Sequence, residues 1–155
     1  MSGRRSVGGK CFHSRVYKVV LGALTRDREV LLVHRRPDKH AYPNVWDLPG
    51  GLVEAGESEL DALARELHEE LGVHISTNSA AHLCQVTVSA GEDEVTLSSW
   101  LVQGWRGTPT NAAPEEHDDI NWFGVDELPP PTHRVMRTAL LEAMRRQRDR
   151  TSHEP

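Results

Sequence analysis

GLVEAGESELDALARELHEELGV, residues Gly51–Val73, is the stretch on which the reading of this chain turns. At about 100° per residue, Leu60, Leu63, Ala64, Leu67 and Leu71 fall on one stripe of a helix, and Glu66, Glu69 and Glu70 gather on the neighbouring arc. Ser58 is a good N-cap, Asp61 completes a loose capping box, and Gly72 supplies a C-terminal cap, so the helix is expected over Glu59–Leu71. Its charges are placed against stability. Like charges three and four residues apart cost about 0.2–0.5 kcal/mol per pair. Glu69 and Glu70 also crowd the carbonyl end, where the helix dipole favours cations. A hard cation bound through carboxylate oxygens would compensate, and magnesium suits an oxygen-only set.

Ahead of this helix, Pro49, Gly50 and Gly51 form a hinge where the backbone approaches something closely or takes positive φ. The β-branched runs Arg15–Leu24 and Glu29–Arg35 predict a hairpin turning at Thr25–Arg28. Arg36–Asn44 loses periodicity and gains prolines, which predicts a surface loop before a short segment Val45–Leu48. After the helix, strands are expected at Val73–Ile75, Leu83–Ser89 and Glu94–Trp105. A long loop Gly107–Asp119 follows, then a strand Ile120–Phe123, a helical turn Val125–Leu128 and a final helix Thr132–Gln147. The result is α/β, a mixed sheet with helices. One domain over residues 15–147 is expected, with a disordered segment 1–14 and a polar tail 148–155.

Composition excludes several classes. The net charge of −5 and the lack of a basic stripe with interleaved aromatics speak against a nucleic-acid polymer or an anionic membrane as partner. No apolar run approaches the ~18 residues of a membrane span. Cys11 and Cys84 form no CxxC and read as reduced thiols, so a cytoplasmic setting is expected. The nine histidines, His68 and His117 among them, make no metal pattern and read as ordinary surface residues.

The spacing of Gly51, Glu57, Arg65, Glu66, Glu69, Glu70 and Gly72 resembles the complete Nudix box. Seven fixed identities match by chance about once in 10⁸ registers. Leu48-Pro49-Gly50-Gly51, Thr96–Gly107 and Asp126-Glu127-Leu128-Pro129 are similar to the flanking parts of MutT-type members, so the likeness extends from about Val16 to Met144. The resemblance implies the Nudix fold, a mixed sheet sandwiched between α-helices. It also implies cleavage of a nucleoside diphosphate linked to another moiety, with magnesium or manganese, and members similar to this one are often homodimers.

On that resemblance, metal binding falls to Glu66, Glu69, Glu70 and the main-chain carbonyl of Gly50. The general base is Glu66 or Glu116, the latter six residues before Trp122 and also a metal-ligand candidate. Glu57 and Arg65 are expected to pair and brace the site, with Gly51 and Gly72 shaping the backbone around it. Arg35, Arg36 and Lys39 are candidates for the polyphosphate, since guanidinium forks match phosphate oxygens. Tyr42 and Trp46 could stack on a base, although core packing is the better reading of Trp46. Thr132 stands where MutT-type proteins place an amide for purine recognition, and a hydroxyl there weakens a case for oxidised guanine. The leading expectation is a nucleoside triphosphate split into monophosphate and pyrophosphate. ADP-ribose or a nucleotide sugar is the alternative substrate, and a non-catalytic nucleotide-binding module the alternative class. RRPDKHAYPNVWD also resembles, more loosely, a loop of Nudix-type isomerases, but no cysteine stands in Leu48–Gly51 for that chemistry.

Overall fold

The computed structural model describes residues 15–40, 42–130 and 134–151. In chain order the elements are β1 (Val16–Arg26), β2 (Glu29–Arg35), β3 (Trp46–Asp47), β4 (Gly50–Leu52) and α1 (Glu59–Leu71). They continue with β5 (His74–Ile75), β6 (Ala81–Ala90), β7 (Asp93–Val102), β8 (Trp105–Arg106), β9 (His117–Gly124) and α2 (Arg134–Thr151). Asp27 and Arg28 both take positive φ, at 47° and 66°, the geometry of a two-residue hairpin turn whose twist matches its strands. Arg26 therefore pairs with Glu29.

β1 is the axis of the sheet, which runs β3-β2-β1-β7-β6 with β4 added on β1 and β9 on β2. β7 lies parallel to β1, from Val16↔Glu94 to Leu24↔Val102, while β4 is antiparallel, with Leu21 opposite Gly50. The sheet is mixed, as expected. α1 covers one face, burying Leu63, Leu67 and Leu71 against Val20, Leu24, Leu31, Val33 and Val102. Gly22 makes this possible, since a Cβ there would stand 2.9 Å from Leu67 and 3.0 Å from Leu63. α2 covers the other face, with Leu140 and Met144 against Leu21, Ala23, Val30, Leu32 and Leu101. Among the described residues no helix is long and apolar enough to cross a membrane.

Several element ends shift from the sequence expectation, three of them most. The strand expected over Glu94–Trp105 ends at Val102, and Trp105-Arg106 turn away to pair with His74-Ile75. The long loop ends at Pro114–Glu116, because His117 already belongs to β9. α2 begins at Arg134 in the described residues and carries on to Thr151, past Gln147. Polar Arg-rich sequence there has good helix propensity, and periodicity of apolar residues could not reveal it.

Candidate active site

α1 forms over Glu59–Leu71 as its caps dictate. Ser58 accepts the amide of Asp61 at 3.1 Å, and Gly72, at φ 71°, donates its N–H to the carbonyl of His68. Its first turn is tied to the sheet through Glu59, which accepts from Lys18 at 2.9 Å and from the Trp100 indole at 3.2 Å.

The three box glutamates are not equivalent. Glu69 is 57% exposed, whereas Glu66 and Glu70 tuck under the Gly50-Gly51 strand. Gly50 donates its amide to Glu70 Oε2 at 3.0 Å. A Cβ on Gly51 would lie 2.5–2.7 Å from the Glu66 carboxyl group, so only glycine lets that carboxylate seat here. Burial drives the Glu70 pKa up to about 8, aided by the charge of Glu66 and opposed by the Gly50 N–H. Burial also raises Glu66, opposed by Arg65.

Arg65 is the hub of the loop and helix. Its Nε and Nη2 grip both oxygens of Glu57 at 2.8 and 2.9 Å, Nη2 reaches the Leu52 carbonyl at 3.1 Å, and Nη1 reaches Glu66 at 2.9 Å. The hydrogen bonds from Arg65 hold Glu57 down to about 2. The expected Glu57–Arg65 brace is present in the geometry, and it also orients Glu66. Arg65→Lys keeps the charge but loses the fork; with Glu66 expected as a metal ligand, kcat/KM should fall about 10- to 100-fold, the usual cost of losing a partner that orients one. Steady-state kinetics with a thermal melt check this; unchanged kinetics would make the pair ordinary surface electrostatics.

The opposite wall comes from β2 and β9. A register shift between His34 and Arg35 sets Arg35 opposite His117, while His34 pairs with Asp119 and its ring contacts the Asp118 carboxylate. This irregularity re-aims the end of β9. His117 is thereby 3% exposed, contrary to its reading as a surface residue, and burial lowers its pKa. Glu116 follows outward, its carboxylate paired with Lys39 at 2.9 Å, which lowers its pKa. The charges of Glu116 and Arg35 both act on Glu70, the first raising and the second lowering its pKa, so β9, β2 and α1 share one electrostatic site.

Residues absent from the sequence reading fix this wall. Ala112 and Thr110 donate their amides to the carbonyls of Glu70 and Leu71, at 2.9 and 3.0 Å, so the loop before Glu116 caps the helix bearing the other glutamates. Asn111 donates to the His117 carbonyl at 2.8 Å. An Asn-Ala-Ala-Pro loop carries no motif; only a search for partners of the last helix carbonyls could have pointed to it.

Of the substrate candidates, Arg35 and Lys39 border the acidic group. Arg36 bridges Asp38 at 3.2 Å and the Pro114 carbonyl at 3.3 Å. Tyr42 is exposed. Trp46 packs edge-on to Phe123 and beside His34, consistent with its reading as a packing residue. Thr132 lies outside the described residues.

Glu66, Glu69 and Glu70 from α1 and Glu116 across from them offer only oxygen donors. Among the described residues no three acidic, imidazole or thiol side chains are grouped so as to hold a metal ion by themselves. That arrangement fits a cation which keeps several waters and takes one or two carboxylates beside substrate phosphates, as magnesium does. Gly51 leaves room for the Glu66 carboxylate, and Arg65 holds that carboxylate through its Nη1.

The family model for the NUDIX domain matches residues 16–143. A CTP pyrophosphohydrolase of Escherichia coli is 32% identical over 113 residues, 73% of this chain and 79% of that protein. A Mycobacterium tuberculosis protein named putative 8-oxo-dGTP diphosphatase 2 is 52% identical over 111 residues, 71% of this chain and 74% of its own length. A MutT NUDIX hydrolase from Burkholderia pseudomallei has the same fold, with a TM-score of 0.72 at 30% identity, covering 82% of this chain and 97% of that one. The chain belongs to the Nudix family. It is a Nudix hydrolase of MutT-like fold whose relatives act on nucleotides, and hydrolases of this family generally use divalent metals.

Proposed function

We propose that this hydrolase is a magnesium-dependent nucleotide pyrophosphohydrolase that splits a nucleoside triphosphate, ribo or deoxy, into the monophosphate and pyrophosphate. The observation that carries the reading is the pairing of Glu66 and Glu70 under Gly50-Gly51 with Glu116 across from them, bordered by the cations Arg35 and Lys39. An acidic centre with a basic rim suits a cation and a polyphosphate together. The CTP and 8-oxo-dGTP named for the relatives favour triphosphates over nucleotide sugars.

In this reading Glu66, Glu69, Glu70 and Glu116 are the carboxylates from which magnesium would draw its protein ligands, water and phosphate oxygens supplying the rest. When bound, it neutralises the polyphosphate and lowers the pKa of the attacking water. Arg65 keeps Glu66 in place, and Glu66 or Glu116 takes the water's proton as its oxygen attacks phosphorus and the bridging P–O bond breaks. Arg35 and Lys39 steady the phosphate oxygens. The cytoplasm is the setting we assign, in keeping with a free Cys84.

The test is a panel of CTP, the other ribo- and deoxynucleoside triphosphates, 8-oxo-dGTP, ADP-ribose and nucleotide sugars, each with Mg²⁺, with products identified. Cleavage of a triphosphate to monophosphate and pyrophosphate is expected, abolished by chelation and reduced at least ~100-fold in Glu69→Gln. Cleavage of ADP-ribose or sugars alone would replace the triphosphate assignment. A folded protein that binds nucleotides and cleaves none would make it a binding module.

A further inference from the structure

Two loops meet above the acidic group, residues 36–44 and 107–116, and three contacts join them. The Arg36 amide donates to the Glu116 carbonyl at 3.3 Å, the Arg36 guanidinium donates to the Pro114 carbonyl at 3.3 Å, and Lys39 Nζ pairs with Glu116 Oε2 at 2.9 Å. The first two fix backbone to backbone and side chain to backbone. Glu116 is held further by its own amide, which donates to the Ala113 carbonyl at 2.9 Å. Only its carboxylate is left to move, and its partner in the third contact is a lysine on a flexible four-carbon stem.

That third contact is the exchangeable one. The two side chains are 25% and 46% exposed, and an ion pair open to water is weakly stabilising and easily traded for another. The Glu116 carboxylate and the Lys39 ammonium also have better partners in the reading given above, a divalent cation and a phosphate oxygen. In the structure each is occupied by the other.

We infer that Lys39 is a positioning residue whose ammonium group holds the Glu116 carboxylate back from the cation until a polyphosphate takes the ammonium over. Substrate arrival then frees Glu116 to complete the site, so the fourth carboxylate joins only when phosphate is present. The Arg36 contacts keep the two loops joined throughout, and no loop opening is required. This inference rests on the assignment of Glu116 to the metal site.

Manganese binding, read by electron paramagnetic resonance on the full chain without nucleotide, tests it independently of hydrolysis. Lys39→Met should bind Mn²⁺ several-fold more tightly than wild type, and Lys39→Arg should stay near the wild-type affinity. The same Lys39→Met change in a Glu116→Gln background should have little effect, because the pair is already gone. Equal tightening in both backgrounds would mean that lysine acts only through its long-range field, and would overturn the inference; so would unchanged or weaker binding in Lys39→Met. In the kinetic arm, Lys39→Met should raise KM for the cleaved nucleotide several-fold while kcat changes less. An unchanged KM would also overturn it. If no nucleotide is cleaved, the manganese cycle still decides between pairing and field, and the failure belongs to the catalytic assignment alone.

Discussion

Glu70→Gln is expected to lower kcat/KM at least ~100-fold, beyond the usual cost of losing a partner outside the metal's own ligands, while leaving the fold intact. Glutamine keeps an oxygen to accept the Gly50 amide, now 3.0 Å from the carboxylate, and it removes the group that could ionise to meet a cation at a site only 6% exposed. Activity and stability therefore part company. The pH dependence should change as well. Glu70 ionises near 8 in the folded chain against an ordinary value of 4.5, so between those values the folded state holds a proton that the unfolded state has released. The stability this confers is full below about pH 4.5 and is lost as the pH rises through about 8. With metal chelated, the wild-type Tm should fall across that window. Glu70→Gln lacks Glu70's share of the slope; Glu66, raised too, leaves a residue of the same sign, and His117, lowered by burial, contributes the opposite sign below its ordinary value of 6.5 in both proteins. Melts from about pH 5 to pH 8.5 in chelator decide it, and parallel profiles would show that Glu70 is ionised throughout.

The second large effect separates two adjacent glycines. A Cβ on Gly50 would stand 1.9 Å from the backbone oxygen of Val20 and 2.9 Å from Leu21 Cα, and backbone in mid-sheet cannot yield. Gly50→Ala must push β4 off β1, breaking the Leu21↔Gly50 pairing and displacing the amide that binds Glu70. A loss of about 3 kcal/mol, the upper end for overpacking, is expected. On Gly51 the added methyl meets the Glu66 carboxyl group, the far end of a side chain that can swing. Gly51→Ala should cost only about 1 kcal/mol and still cripple activity by turning Glu66 away from its place beside Arg65. Denaturant midpoints and kcat measured side by side test the contrast. Equal stability of the two variants, or full activity in Gly51→Ala, would contradict it.

Much of this site was legible in the chain because its signals are local. Ser58 and Gly72 bounded α1, the leucine spacing chose its buried face, and Arg65 could be expected to reach back to Glu57. A regular helix converts sequence spacing directly into geometry, and the Nudix box lies on one helix and the loop before it. The opposite wall was less readable. Glu116 could be nominated only by its distance from Trp122, and His117 was misread as exposed. Both depend on the register shift at His34–Arg35, and a register shift is decided by how two distant strands pair. Arg36 and Lys39 looked alike as phosphate candidates, and differ because Arg36 grips Asp38 and the Pro114 carbonyl while Lys39 pairs with Glu116.

By itself, then, the sequence determined α1, its caps, the Arg65 brace and the concentration of carboxylates that calls for a cation, all through contacts a few residues long. Tertiary structure decided which carboxylates are buried, since that depends on how closely Gly50-Gly51 pass over Glu66 and Glu70. It also decided where Glu116 stands, because its loop is hung from the carbonyls of Glu70 and Leu71 and its carboxylate from Lys39, partners as far as 77 residues away in the chain.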